Sequence, residues 1–412
     1  MAKRIFLHVG TPKTGTTFLQ SVLWANKGVL ADQGLLLPLD KVRDHFYLSN
    51  IARDAPQALQ AMPAGAQTTW PRALEELAGW DGDALISHEL FSPTSTERAR
   101  WTIDQLATVG EEVHTILTAR DLARQVPAEW QQTVKHGRSH TLREFYALIQ
   151  SQDPSVLFWA AQDLEVLAAN WSQGLPESSL HLVTVPPAGG PRNLLWERYA
   201  GLLGIDPASV DDSVNRPNES LGLEEIETLR RVNQYAPTDV DRPLKQLLVR
   251  TVLAETILAG RPDPQRFAPP AEEHAWVVER GTAMVEALRA RSYDVVGDLD
   301  DLLPPAEPLI GPLPDDVSDS AVAAVAVETI SAVLYRGSRG EGARRRERVA
   351  ELERQLAART ARVDVLLQRV QTLEARVATA WAAYERESTL PLWRHAARRV
   401  RDRVRRLRAH AE

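Results

Sequence analysis

Five short apolar runs recur along the first half of the chain, each closed by glycine, proline or a polar residue: Ile5–Val9, Leu35–Leu37, Ala84–Ser87, Val113–Ala119 and His181–Val185. Runs of this length and composition predict strands buried on both faces. The stretches between them repeat their apolar residues every three or four positions, as helices do. One such helix is expected from Thr16 to about Leu30, with Phe18, Leu19, Val22, Leu23 and Val29 inward. Others run through Trp130 to Gln152, around Phe158, Trp159 and Trp171, and from Leu194 to Gly204. Strands alternating with helices predict an α/β fold, a parallel sheet flanked by helices.

The second half reads differently. From Leu221 to about Leu303 the pattern is helical, with Leu247, Leu248, Val252, Leu253 and Ile257 periodic. Tyr293–Leu302 reads as a turn closing the domain, and its acidic residues match no calcium loop. Five prolines between Pro304 and Pro314 predict a semi-rigid linker, followed by a helix from Ala321 to Leu334 and a break at Gly337–Gly342. Heptads then begin: Val349, Leu356, Val363, Val370, Val377 and Tyr384 at one position, Leu352, Arg359, Leu366, Leu373 and Ala380 at its partner. That is a coiled-coil seam over 349–384, long enough to form a homodimer or to pack back on the body. In the tail, Trp393, Val400, Val404 and Leu407 recur at helical spacing among arginines. The division expected is 1–303 α/β domain, 304–341 linker with a short helix, 342–388 coiled coil and 389–412 basic amphipathic tail.

Composition narrows the partners. A net charge of -7 argues against bulk nucleic-acid binding, although the tail concentrates positive charge. An arginine-rich helix over 391–408 can lie on an anionic membrane surface, bind nucleic acid or stay solvated. The absence of cysteine excludes thiolate nucleophiles and thiolate metal sites. No apolar run approaches the ~20 residues of a spanning helix, so a cytoplasmic protein is expected, peripheral at the inner membrane face if the tail binds lipid.

Candidate chemistry gathers in the loop after the first strand. Gly10, Pro12 and Gly15 turn the chain tightly, and a helix opens at Thr16–Thr17. Such a loop points backbone N–H groups and a positive helix end at one spot, which suits phosphate or sulfate. Gly10, Gly15 and Thr17 have Walker spacing, but Thr16 stands where the Walker lysine belongs, and the loop's lysine is Lys13. Pro12-Lys13-Thr14-Gly15-Thr16-Thr17 resembles the 5′-phosphosulfate loop of sulfotransferases that use 3′-phosphoadenosine 5′-phosphosulfate (PAPS), matching it at every position. Ser87-His88-Glu89, at a strand's carboxyl end, resembles that family's second motif, and either titratable side chain could accept a proton there. Arg120, at the next strand end, resembles its 3′-phosphate motif, although Ala128 stands where a serine is expected.

The resemblance covers about 1–303 and implies a P-loop-like fold and sulfuryl transfer from PAPS to an acceptor hydroxyl (carbohydrate, glycolipid or small metabolite), without metal. Glu89 would be the base, with His88 second, and Lys13 would offset charge on the leaving oxygen. Thr11 through Thr17 would cradle the 5′-phosphate, Arg120 would hold the 3′-phosphate, and Arg216 is a further candidate for that contact. His45 is either a substrate contact or structural or solvated, and the cluster of Lys135, His136, Arg138 and His140 either faces an anionic substrate or the nucleotide or is a solvated helix end. A P-loop kinase with an aberrant loop and a non-catalytic coiled-coil scaffold remain as other readings.

Overall fold

Alternation along the strands builds two faces of one sheet. In the first strand, β1 (Ala2–Gly10), Ile5, Leu7 and Val9 enter one apolar cluster and Phe6 enters another on the opposite side. The same parity holds in β3 (Asp83–Ser87), β4 (Gly110–Ala119) and β5 (Leu180–Thr184): Ile86, Leu117 and Leu182 face the first cluster, and Leu85, Ile116 and Val183 face the second. Side chains on a strand point alternately to the two faces, so a sheet buried on both needs apolar residues at successive positions. The computed structural model describes residues 1–153, 156–191, 193–213, 220–236, 244–245, 247–388 and 392–408. Side chains are described throughout these except at 337–353, 355–361, 363–367, 381, 384–388 and 407–408.

Together with β2 (Leu35–Leu36) and β6 (Asp294–Val296), the strands form one parallel sheet in the order β2-β3-β1-β4-β5-β6. From β1 the chain passes to the edge strand β2, returns inward through β3, and then crosses to β4 on the other side of β1. The carboxyl ends of β3, β1 and β4 thus flank a topological switch point, where open α/β sheets bind ligands.

Through residue 235 the α-helices are α1 (Thr16–Ala25), α2 (Lys27–Asp32), α3 (Val42–Arg53), α4 (Pro56–Gln60), α5 (Thr69–Ala78), α6 (Thr96–Ala107), α7 (Leu122–Lys135), α8 (Leu142–Gln150), α9 (Phe158–Gln162), α10 (Leu164–Trp171), α11 (Leu194–Leu202) and α12 (Leu223–Tyr235), and α13 (His274–Arg289) follows. Helix α7 starts where Asp121 accepts a hydrogen bond from the Arg124 N–H at 2.9 Å. Helix α8 starts at a capping box between Thr141 and Glu144. A third apolar cluster joins α7, α8, α9 and α12, with Trp130, Phe145, Tyr146 and Phe158 at its centre.

Several elements differ from the pattern's forecast. The first helix stops at Ala25, where Asn26 turns its side chain back to the Val22 carbonyl at 2.8 Å; Leu30 rather than Val29 is then buried. The stretch expected as one helix from Trp130 to Gln152 is divided at Gly137, whose positive φ of 90° ends α7. Residues 247–258 wind as a π-helix, whose wider turn buries Val249, Ala254 and Leu258 and leaves Leu247 and Leu248 exposed. The expected closing turn contains β6, drawn into the sheet by pairing with β5. The proline-rich segment is fastened to the body, with Pro312 accepting from the Ala268 N–H and Asp315 from the Leu142 N–H.

Two compact units divide the chain, Met1–Ile330 and Ser331–Glu412. A helix runs Asp319–Ser388, so Gly340 and Gly342 lie inside helical backbone and no break falls there. In the second unit Val370, Leu373 and Val377 of the heptad seam are exposed, and a separate helix, Leu392–Arg408, exposes Trp393, Val400 and Val404. Most seam side chains lie outside the described set. Among the described residues, no helix is long and apolar enough to cross a membrane.

Candidate functional site

The loop between β1 and α1 is shaped by two glycines and latched by neutral side chains. The register of β1 against β4 shifts between His8 and Gly10, which re-aims the chain as it leaves the sheet. Gly10 has φ +114°, and a Cβ there would sit 3.0 Å from the Glu89 carbonyl oxygen. Only glycine lets the loop lie this close to the end of β3. Thr11 donates its N–H and hydroxyl to the Thr118 carbonyl, at 3.0 and 3.2 Å. The Pro12 carbonyl accepts from the amides of Gln125 and Gln162, at 2.7 and 3.2 Å. Lys13 Nζ donates to Gln132 Oε1 at 2.6 Å.

Thr14 points inward, donating to the Thr11 carbonyl and sharing a hydrogen bond with Thr118 Oγ1, both 2.5 Å. It therefore holds the loop's shape. Gly15, left-handed at φ +87°, caps α1 and offers no side-chain acceptor to its first turn. Thr16 is buried; Thr17 is half-buried, and its carbonyl accepts from Ser21.

The cations around this loop are only partly compensated. Burial holds the Lys13 ammonium below the usual amine range; Glu129 and Glu89 favour its charge, and Arg120 and Arg250 oppose it. Arg120, at the end of β4, is pushed down to about 10 by burial and then by Arg124. Its guanidinium donates to Gln125 Oε1 at 2.9 Å and to the Arg124 carbonyl at 3.1 Å, beside Thr11 in a crevice of about 10 Å³. Arg124 pairs with Asp121 and donates to the Pro186 carbonyl at 2.9 Å, yet its Nη2 is buried without a hydrogen-bond partner. Such an orphaned donor costs stability unless something accepts from it. Ala128 lies half-buried in α7, and Arg216 lies outside the described residues.

At the end of β3, His88 and Glu89 divide two tasks. His88 Nδ1 accepts from the Leu90 N–H at 3.1 Å, capping the short turn that Glu89 opens. Burial lowers the His88 pKa. The Glu89 side chain is 27% exposed and accepts from the Gln20 amide at 3.0 Å. Burial alone would raise its pKa, but His88, its own N–H, Gln20 and His8 together hold it below the usual carboxylate range. Glu89 is thus an ionised, reachable proton acceptor, and His88 is a neutral cap.

Beneath them, His8 bridges three strands, bonding Ser87 Oγ at 2.8 Å and Thr118 Oγ1 at 3.2 Å. His45 is fully buried between the Pro38 carbonyl, at 3.0 Å, and the Ser87 N–H, at 3.1 Å, so it serves the fold. Burial pushes the two imidazoles down to about 3 and about 4. Unfolded histidine titrates near 6.5, so below that pH the unfolded chain binds more protons and stability falls as pH drops. Each histidine costs about 1.4 kcal/mol per pH unit between about 6 and 4. The urea midpoint is therefore expected to fall clearly between pH 7 and pH 5; equal midpoints would contradict buried, neutral His8 and His45.

The fold thus brings Lys13, Glu89, His88, Arg120 and the loop residues to one end of the sheet. Sequence reasoning missed what holds them: Gln20 on Glu89, Gln125 and Gln162 on Pro12, Gln132 on Lys13. Glutamines do not titrate and carry no motif. A signal existed all the same, because Gln125, Glu129 and Gln132 fall at i, i+4 and i+7, one face of α7. Among the described residues, no group of three or more metal-binding side chains is found.

No protein-family model matches this chain. No curated protein matches it either. Among solved structures, a sulfotransferase from Alicyclobacillus acidocaldarius is similar at 13% identity and a TM-score of 0.35, over 57% of this chain and 93% of that one. So loose a likeness carries no functional argument.

Proposed function

We propose that this chain is a PAPS-dependent sulfotransferase that moves a sulfuryl group to an acceptor hydroxyl. The observation that carries the reading is Lys13: a cation held inside an anion-binding turn, next to the strand end that bears Glu89. A Walker loop would place its lysine on the helix, where this chain has Thr16. A sulfuryl group carries less charge than a phosphoryl group, so one ammonium and oriented N–H groups suffice to stabilise its transfer. The lowered pKa of Arg120 and the orphaned Arg124 nitrogen support an anion as the missing partner at the second strand end.

PAPS supplies the activated sulfuryl group and a good leaving phosphate. Glu89 takes the proton from the attacking hydroxyl as the new O–S bond forms and the bridging S–O bond breaks. Lys13 would offset the charge left on the bridging oxygen. The N-terminus of α1 receives the 5′-phosphate, and Arg120, with Arg124, receives the 3′-phosphate. The products are a sulfate ester and 3′,5′-adenosine bisphosphate. In the second unit, exposed Val370, Leu373 and Val377 support pairing with a second copy, and the exposed Trp393 face of the last helix supports contact with an anionic surface.

The test is calorimetry with 3′,5′-adenosine bisphosphate and with ATP–Mg²⁺. Micromolar affinity for the bisphosphate without metal, and none for ATP–Mg²⁺, is expected. The reverse order would replace the reading with phosphoryl transfer.

A further inference from the structure

A cavity of about 690 Å³ opens among α7, the Gly137 turn, α8, α9 and the segment carrying Lys245 and Val249. That is within the size range of small-molecule sites. Its lining is mixed: Phe145, Phe158 and Val249 are apolar, Lys135, Arg138 and Lys245 are cationic, and Glu129 is its single carboxylate. Arg138 and Lys245 have no carboxylate partner among the described residues. Lys245 lies against the turn, 3.6 Å from where a Cβ on Gly137 would be.

The cavity is also wired to the loop. Glu129 accepts from Gln162 at 3.0 Å, and the same amide reaches Pro12; its charge is the largest one favouring the Lys13 ammonium. Gln132, which holds Lys13, donates its amide to His136 Nε2 at 3.2 Å. One helix face thus runs from the loop lysine to the cavity.

We propose that this cavity is the acceptor subsite and takes an amphipathic anion: a hydroxyl compound whose apolar body lies on Phe145, Phe158 and Val249, and whose own carboxylate, phosphate or sulfate group is held by Arg138 and Lys245. The word acceptor rests on the donor assignment above; recognition of an amphipathic anion does not. A plain neutral sugar fits this lining less well, since it offers no anionic group to Arg138 and Lys245 and little apolar surface to Phe145 and Phe158.

The probes are 6-hydroxy-2-naphthoate and 2-naphthol, which differ by one carboxylate, titrated into the full chain without nucleotide. The acid is expected to bind about tenfold more tightly, the value of one charge-assisted contact. In Arg138→Gln/Lys245→Gln that preference should disappear while 2-naphthol binds as before and the thermal midpoint holds. Equal affinities in the wild type, or a preference that survives the double substitution, overturns the proposal. Binding of 3′,5′-adenosine bisphosphate, measured separately, tells the two readings apart. If the bisphosphate fails to bind and the acid preference stands, the donor assignment falls and the anion site stays. The opposite pattern leaves the donor and removes this acceptor class.

Discussion

Lys13→Ala is expected to lower sulfuryl transfer by about 10²–10³-fold while leaving the thermal midpoint within a few degrees. The rate term follows from losing a pre-oriented donor at the leaving oxygen, worth about 2.7–4 kcal/mol in comparable sites. The stability term follows from burial, which already works against the Lys13 charge; removing it abolishes that cost and leaves one amide oxygen, on Gln132, to find water. Position 13 has φ +64°, so alanine meets the same backbone strain as lysine. Lys13→Arg is expected not to rescue, because the planar guanidinium cannot occupy the ammonium's place against Gln132. Single-turnover rates with saturating donor are the measurement, and a Lys13→Ala enzyme within threefold of wild type would dismiss the assignment.

The second large effect is on the base. Glu89→Gln keeps an oxygen for the Gln20 amide and removes the proton acceptor, and a loss of about 10²–10⁴-fold is expected. His88→Asn retains an acceptor for the Leu90 N–H and removes the rest of the ring, so activity should stay within about tenfold. The pH profile separates the two. Glu89 titrates below the usual carboxylate range, so with Glu89 as base the rate stays flat from neutrality down past pH 5 and falls only below it. A steep loss in His88→Asn with Glu89→Gln nearly intact would transfer the role to the histidine.

Much of the architecture was legible because its signals are local. Apolar residues at successive positions gave five strands, and turn residues gave the loop. What failed depended on partners distant in sequence. Asp294–Val296 is too short to announce itself and becomes a strand only because β5 presents an edge to it. The π-turn at 247–258 shifts the buried face by changing the helical period, which a 3.6-residue template cannot register. That Lys13, Glu89 and Arg120 would meet at one end of the sheet was legible because each closely follows a run that reads as a strand. The imidazole of His8 was not, since its role depends on Ser87 and Thr118 from neighbouring strands.

The four glutamines around the loop have a consequence for how the protein responds to its medium. Every direct side-chain bond they make to Pro12, Lys13, Glu89, Arg120 or Glu129 comes from an amide that neither gains nor loses a proton and attracts no counter-ion. These glutamine bonds are electrically silent. A salt series on this protein will therefore register the charges of its ligands and reacting groups, without the glutamine fastenings themselves loosening in step.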